Sequence, residues 1–332
     1  MIEPFGIMPD GQTIDRVTLQ GGGLTASVIT YGAVLQDLRL DGHDAPLVLG
    51  FPEFAPYLIH SPHFGATAGR YANRIRDGHL ELDGTTYQLD RNFLGKHHLH
   101  GGSKGTGKQV WKFQDHSASH ATLRLDLPDG HMGFPGDLTV EVTFALETDG
   151  VLDIRIIATT DAPTLCNFAH HSYFTLDSEA SASEHLLTVA ADHYLPVDAE
   201  LIPTGEIRPV EGTPFDFTTP APIVQAFPID HNFCLSNSRT ELRTVATLQS
   251  LASGVTMECR TTEPGLQIYD GAKINIPLIG LHGQPMSACA GIAMEPQVWP
   301  DANHHDGFPL AVLRPGETYE QHTQYVFSRT TT

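Results

Sequence analysis

The 332-residue sequence predicts an all-β protein, one large and mainly antiparallel β-sandwich. Three observations carry that expectation. Asp-Gly occurs eight times, starting at Asp10, Asp41, Asp77, Asp83, Asp129, Asp149, Asp270 and Asp306, and it supplies the positive φ angles that hairpin turns need. Around those turns apolar residues alternate with polar ones, the period-2 pattern of antiparallel strands with one wet face. Helical signals are sparse: the segment 51–58 has room for one or two turns, and 23 Pro with 31 Gly interrupt most other windows.

The alternation runs in order along the chain. Leu80 and Leu82 precede Asp83-Gly84, and Tyr87 and Leu89 follow it. Leu123, Leu125 and Leu127 lead into Pro128-Asp129-Gly130. Leu138, Val140, Val142, Phe144 and Leu146 alternate with polar residues, and Leu152, Ile154 and Ile156 continue beyond Asp149-Gly150. With no repeat and no linker of altered composition, residues 1–332 read as a single domain of two packed β layers.

Composition narrows the function. Nineteen Lys and Arg against 39 Asp and Glu give a net charge of −20, a field that disfavours nucleic acid and anionic membrane as partners and leaves a neutral small molecule unopposed. No window approaches the ~18 apolar residues of a membrane span. Cys166, Cys234, Cys259 and Cys289 form no CxxC pair, which argues against a zinc ribbon or a redox motif. Cys259 alternates with Val255 and Met257 as a buried thiol would. The N-terminus has no basic start or apolar run, so a cytoplasmic location is expected.

Six segments offer chemistry. In Gly69-Arg70-Tyr71-Ala72-Asn73-Arg74-Ile75, the Arg fork and the Asn amide suit sugar hydroxyls, and ion pairing to the many acids is the plainer alternative. Lys96-His97-His98-Leu99-His100-Gly101-Gly102 admits a zinc site on His98 and His100, a polar loop, or a single His donating to a ligand oxygen. In Ala169-His170-His171-Ser172-Tyr173-Phe174, strand geometry puts His171 and Tyr173 on one face and His170 on the other. A His near its ordinary pKa of about 6.5 serves as a general acid when a carboxylate holds its proton, and a hydrogen-bonded core His is the alternative. Asp230 either binds paired hydroxyls or opens an Asx turn. Strict alternation sets Gln267 and Tyr269 opposite Leu266 and Ile268, and Glu295 opposite Ile292 and Met294. Trp299 suits a sugar-stacking face or a core position equally.

Taken together and in order, these segments resemble the aldose 1-epimerases (galactose mutarotases). The resemblance runs nearly end to end, from Ile29-Thr30-Tyr31-Gly32-Ala33 and Val48-Leu49-Gly50-Phe51 to Leu313-Arg314-Pro315-Gly316-Glu317. Its specific pieces are the Gly69–Ile75 run, Leu99-His100-Gly101-Gly102, His171-Ser172-Tyr173-Phe174, Tyr194-Leu195-Pro196-Val197-Asp198, Ile202-Pro203-Thr204-Gly205, Asp230-His231-Asn232-Phe233-Cys234-Leu235 and Trp299-Pro300-Asp301-Ala302. It implies a galactose mutarotase-like supersandwich with an open, sugar-sized cleft, no metal and no organic cofactor. His171 falls on the family's proton donor and Glu295 on its proton acceptor. Asn73, Arg74, His100, Tyr173, Asp230 and Gln267 fall on sugar-binding positions. His170, His98 and Thr175 depart from the family pattern, where Asn, Asn or Ser, and Asn are usual.

The implied reaction interconverts the α and β anomers of a free aldose such as galactose, glucose or a pentose. It needs two proton transfers and no electron transfer. Glu295 is expected to be ionised and His171 protonated, with Asp230 helping to hold that proton. The rival readings are a non-catalytic carbohydrate-binding sandwich, a metal-dependent hydrolase built on the His clusters, and a hexose-phosphate 1-epimerase, against which the low basic content argues. A monomer or weak homodimer is expected.

Overall fold

The alternation along Leu138–Glu147 is realised as a strand whose even-numbered residues face the core and whose odd-numbered residues face the surface. It lies inside a nine-stranded antiparallel sheet, in a computed structural model that describes residues 2–60, 63–223 and 228–330. The order across this sheet is Lys112–His116, His120–Leu127, Leu138–Glu147, Val151–Thr160, Tyr319–Arg329, Val255–Thr261, Arg243–Gln249, Leu186–Val189 and Ala221–Pro222. Asp149 and Gly150 carry φ of 63° and 75° between two of these strands, as the Asp-Gly turns require. The C-terminal strand Tyr319–Arg329 sits centrally, between Val151–Thr160 and Val255–Thr261, so distant parts of the chain are tied into one hydrogen-bonded ladder.

A six-stranded sheet carries most of the chemistry. Its order is Tyr173–Phe174, Ile292–Gln297, Gly265–Tyr269, Asp230–Cys234, His193–Tyr194 and Arg208–Pro209. Alternation divides its residues between two surroundings. Phe174, Phe233, Leu266, Ile268, Ile292 and Met294 join the main hydrophobic core with Met257, Tyr325 and Phe327 of the large sheet. The Tyr325 hydroxyl donates to the Met294 carbonyl across the two layers at 2.8 Å. Burying a large apolar side chain contributes about 1.5–3 kcal/mol, so this shared face holds the second layer in place. Tyr173, Gln267 and Glu295, of opposite parity, are left to build the other face. A four-stranded N-terminal sheet, Ile2–Ile7, Thr13–Gly21, Leu24–Ile29 and Val34–Leu40, adds Val17, Leu19, Ala26, Val28, Leu35 and Leu38 to the same core.

Helix is confined to one short α-helix, Ala55–Ile59, and single 3₁₀ turns among the described residues. The helix overlaps the segment 51–58 expected to turn and runs one residue beyond it, to Ile59. No helix among the described residues is long and apolar enough to cross a membrane. All four cysteines are free. Cys259 is fully buried beside Val255 and Met257 in the core, and burial pushes its thiol pKa up, so it packs as a small hydrophobe.

Candidate active site

Three neighbouring strands present the carboxylates and the amide. Gln267 and Glu295 are direct partners in the ladder between Gly265–Tyr269 and Ile292–Gln297, and Asp230 lies one strand further, opposite Tyr269. The Gln267 amide donates to Asp230 Oδ1 at 2.7 Å. Arg74 reaches the other oxygen of Asp230 at 3.0 Å and lies over the Phe93 ring, 4.9 Å from its centroid. Its guanidinium also donates to Asn73 Oδ1 at 3.3 Å, so Asn73, Arg74, Asp230 and Gln267 form one polar network. Arg74 is therefore both ion-paired and at the site, which joins two readings the sequence kept apart.

His100 and His171 complete the arrangement. Asn73 and His100 hold each other: the Asn73 N–H donates to His100 Nδ1 at 3.2 Å, and the His100 N–H donates to the Asn73 carbonyl at 3.0 Å. With Nδ1 accepting, the neutral His100 carries its proton on Nε2. Both residues have left-handed backbones, φ 65° and 49°, which non-glycine residues adopt where surrounding structure compels it. Gly101, with φ 80°, follows; a Cβ there would lie 1.7 Å from the Gly69 carbonyl oxygen, so only glycine admits this close approach.

His171 ends the strand Ala169–His171, paired with Ala66–Ala68, and its Nε2 lies 3.5 Å from Glu295 Oε1. Its ring is 5.1 Å from that of Tyr173 and 5.2 Å from that of His100. His170 faces the other way. Its ring meets Phe144 and Tyr325 in the core, and its Nε2 is 2.7 Å from the Ser172 hydroxyl. The alternation expected of these two histidines is what the chain adopts.

Burial controls the charges. Glu295 is 2% exposed and His171 4%. Desolvation pushes the Glu295 carboxyl well above its ordinary value, with Asp230 adding to the rise and Arg74 opposing it. Desolvation pushes the His171 imidazole down to about 3, its own backbone carbonyl working the other way and His170 and Arg74 adding to the fall. Desolvation thus pushes both groups toward their neutral forms, against the ionised Glu295 and protonated His171 that the sequence leads one to expect. The expected help from Asp230 is corrected too. Its two oxygens are committed to Gln267 and Arg74, and its negative charge acts on Glu295 rather than on His171.

Other expectations resolve as structural. His98 Nδ1–H donates to the Asp90 carbonyl, 2.8 Å away, and the ring packs on Phe134, so it does not join His100. The group of possible metal ligands found among the described residues is instead His100, His171 and Glu295, whose ligand atoms lie within 4.8 Å of one another. Arg70 is 1% exposed and donates to the Pro135 and Gly136 carbonyls, holding a loop. Trp299 is 1% exposed, and its N–H donates to the Pro264 carbonyl, so it is core and not a stacking face. One site residue escaped the sequence reading. His63 stacks on His171 with ring centroids 5.5 Å apart, and no pattern near it marks it out.

The arrangement sets a carboxyl beside an imidazole within a network of hydrogen-bonding groups. The profile of the aldose 1-epimerase family matches residues 15–326. Galactose mutarotase from Homo sapiens is 39% identical over 98% of this chain and 97% of its own length. Aldose 1-epimerase from Escherichia coli (strain K12) is 33% identical over 98% of each chain. Among solved structures, an aldose epimerase homologue from C. elegans superposes with a TM-score of 0.88 at 30% identity, covering 95% of this chain and 99% of that one. Galactose 1-epimerase from Lactobacillus acidophilus superposes with a TM-score of 0.85 at 27% identity, covering 100% and 99%.

Proposed function

This chain belongs to the aldose 1-epimerase family and is an isomerase with aldose 1-epimerase activity, and on that premise we propose that His171 and Glu295 are its proton donor and acceptor, acting on a free hexose such as galactose or glucose. The observation that carries the assignment is the 3.5 Å separation of His171 Nε2 from Glu295 Oε1. Ring opening removes a proton from the C1 hydroxyl and adds one to the ring oxygen. Both oxygens are bonded to C1, so donor and acceptor must stand close together, as these two do. The ring C–O bond then breaks to leave an aldehyde, the C1–C2 bond rotates, and the same two transfers reversed close the ring on the other face.

The pair holds one proton whether it is neutral or ionised. Moving that proton from Glu295 to His171 readies the site without uptake from solvent. Sugar hydroxyls, by hydrogen-bonding to both groups, favour the ionised form that burial alone disfavours. Asn73, Arg74, His100, Tyr173, Asp230 and Gln267 would bind the sugar, with His100 Nε2–H donating near the ring oxygen. Arg74 is already neutralised by Asp230, which suits an uncharged sugar better than a phosphorylated one. The whole chain would act as one domain around this site.

Asp230→Ala is expected to raise KM for galactose by roughly 10–100-fold with a smaller fall in kcat, because Arg74 and Gln267 both lose their partner and a bidentate acceptor is gone. Initial polarimetric rates across substrate concentrations check it; an unchanged KM would remove Asp230 from the binding set.

The pH profile follows from the singly protonated pair. Acid conditions remove the base only when a second proton binds, and burial holds His171 near about 3, so that limb lies far below the usual imidazole range. Alkali removes the acid when the single proton leaves. Activity, measured as kcat/KM corrected for the uncatalysed reaction, is therefore expected to persist from neutrality down to about pH 5. A half-loss near pH 6.5 would contradict it.

Dialysis against EDTA is expected to leave the rate unchanged. Loss of activity restored by zinc would assign His100, His171 and Glu295 to a metal instead.

A further inference from the structure

We propose that His63 is a positioning residue for His171, its imidazole face holding the donor ring so that Nε2 is directed at Glu295. The inference rests on the reading of His171 as proton donor. The His63 and His171 rings are near-parallel, 27° apart, at 5.5 Å between centroids. His100 touches both, 4.7 Å from His63 and 5.2 Å from His171, so the three imidazoles close a triangle. A lone His171 ring would be free to rotate about its χ2 torsion, which is broad for His, and carry Nε2 away from the carboxylate. Contacts on two sides, His63 against its face and His100 at an edge-on angle, restrict that rotation.

The backbone shows that His63 is held in register with His171 and not merely near it. The Gly65 N–H donates to the His171 carbonyl at 3.0 Å, and Ala66 pairs with His171 in the two-stranded ladder. The Ala66 N–H closes a turn on the His63 carbonyl at 3.0 Å. Phe64 meets Tyr173 edge-on at 5.1 Å and stacks on Phe51 at 5.7 Å. The turn and the catalytic strand are therefore one packed unit. His63 itself has φ 67°, a left-handed conformation unfavourable for a non-glycine residue, and it persists because this packing holds it. Burial and the neighbouring His171 keep His63 neutral, so it lends its ring without competing for the proton.

The test compares His63→Ala, His63→Gln and His63→Phe in the full-length enzyme, by initial rates of galactose mutarotation and by thermal melts. If the ring face is what matters, Ala and Gln lower kcat on the order of tenfold with KM within about twofold, and Phe keeps kcat within about threefold. The comparison of Gln with Phe stands even if the Ala variant does not fold. Activity retained by Gln and lost by Phe, a rise in KM at constant kcat, or wild-type kcat in both Ala and Gln would each overturn the proposal. His171→Asn in the same series separates the two readings. If it is inactive while His63→Ala and His63→Gln both have wild-type kcat, only the positioning role fails; if it is active, the donor assignment fails and this role with it.

Discussion

Replacing Glu295 with glutamine is expected to lower the rate of galactose mutarotation on the order of 10²–10⁴-fold, the usual share of a positioned acid–base group. Glutamine has the same shape and keeps an oxygen for hydrogen bonding, but it cannot accept or deliver the proton. Its fold should survive, because Glu295 is buried and its charge is what burial opposes. The stability effect has a definite sign. A carboxyl whose folded pKa is raised contributes most below its unfolded value, and that contribution is lost as pH rises through the folded value. The variant removes this loss, so its Tm relative to that of the wild type should rise between pH 5 and pH 8. Fresh α-galactose followed by polarimetry, with melts at the two pH values, tests both parts. A rate within a few-fold of wild type would sink the acceptor assignment.

His171→Asn is expected to cost a similar factor, again on the order of 10²–10⁴, and mainly in kcat. Asparagine can still hydrogen-bond, but it cannot carry a proton to the ring oxygen. His170→Asn is the informative comparison, since His170 is also buried and neutral, with its pKa pushed down to about 3 by burial. Its ring lies between Phe144 and Tyr325 on the core side, so its replacement should lower Tm through lost packing and affect kcat much less. Equal losses of kcat in both variants, at matched stability, would contradict the division of labour between adjacent histidines.

Much of the fold could be read before any coordinates. Alternation in Leu138–Glu147 and Val151–Thr160, punctuated by Asp149-Gly150, dictated a hairpin because side chains repeat every two residues and the turn needs positive φ. The same period placed Glu295 away from Met294 and His171 away from the core that receives His170. Residue types whose surroundings come from elsewhere were harder. Trp299 and Arg70 look alike in sequence whether they face a ligand or close a loop, and both turn out buried with backbone partners. His98 and His100, two apart, suggested a shared metal. The short strand His98–Leu99 ends before His100, whose left-handed φ breaks the strict alternation that sharing a face would need.

The sequence alone determined the strands, the turns and the face on which each catalytic candidate would stand, since these follow from local periodicity and from the resemblance of motifs. Only the tertiary structure decided which candidates meet and how burial biases their charges. Arg74 and Asp230 are 156 positions apart and pair at 3.0 Å; His63 and His171 come together through a turn and a strand more than a hundred residues apart. Glu295 and His171 are both pushed toward their neutral forms because desolvation is a sum over every group that displaces water, and that sum exists only once the sheets are stacked.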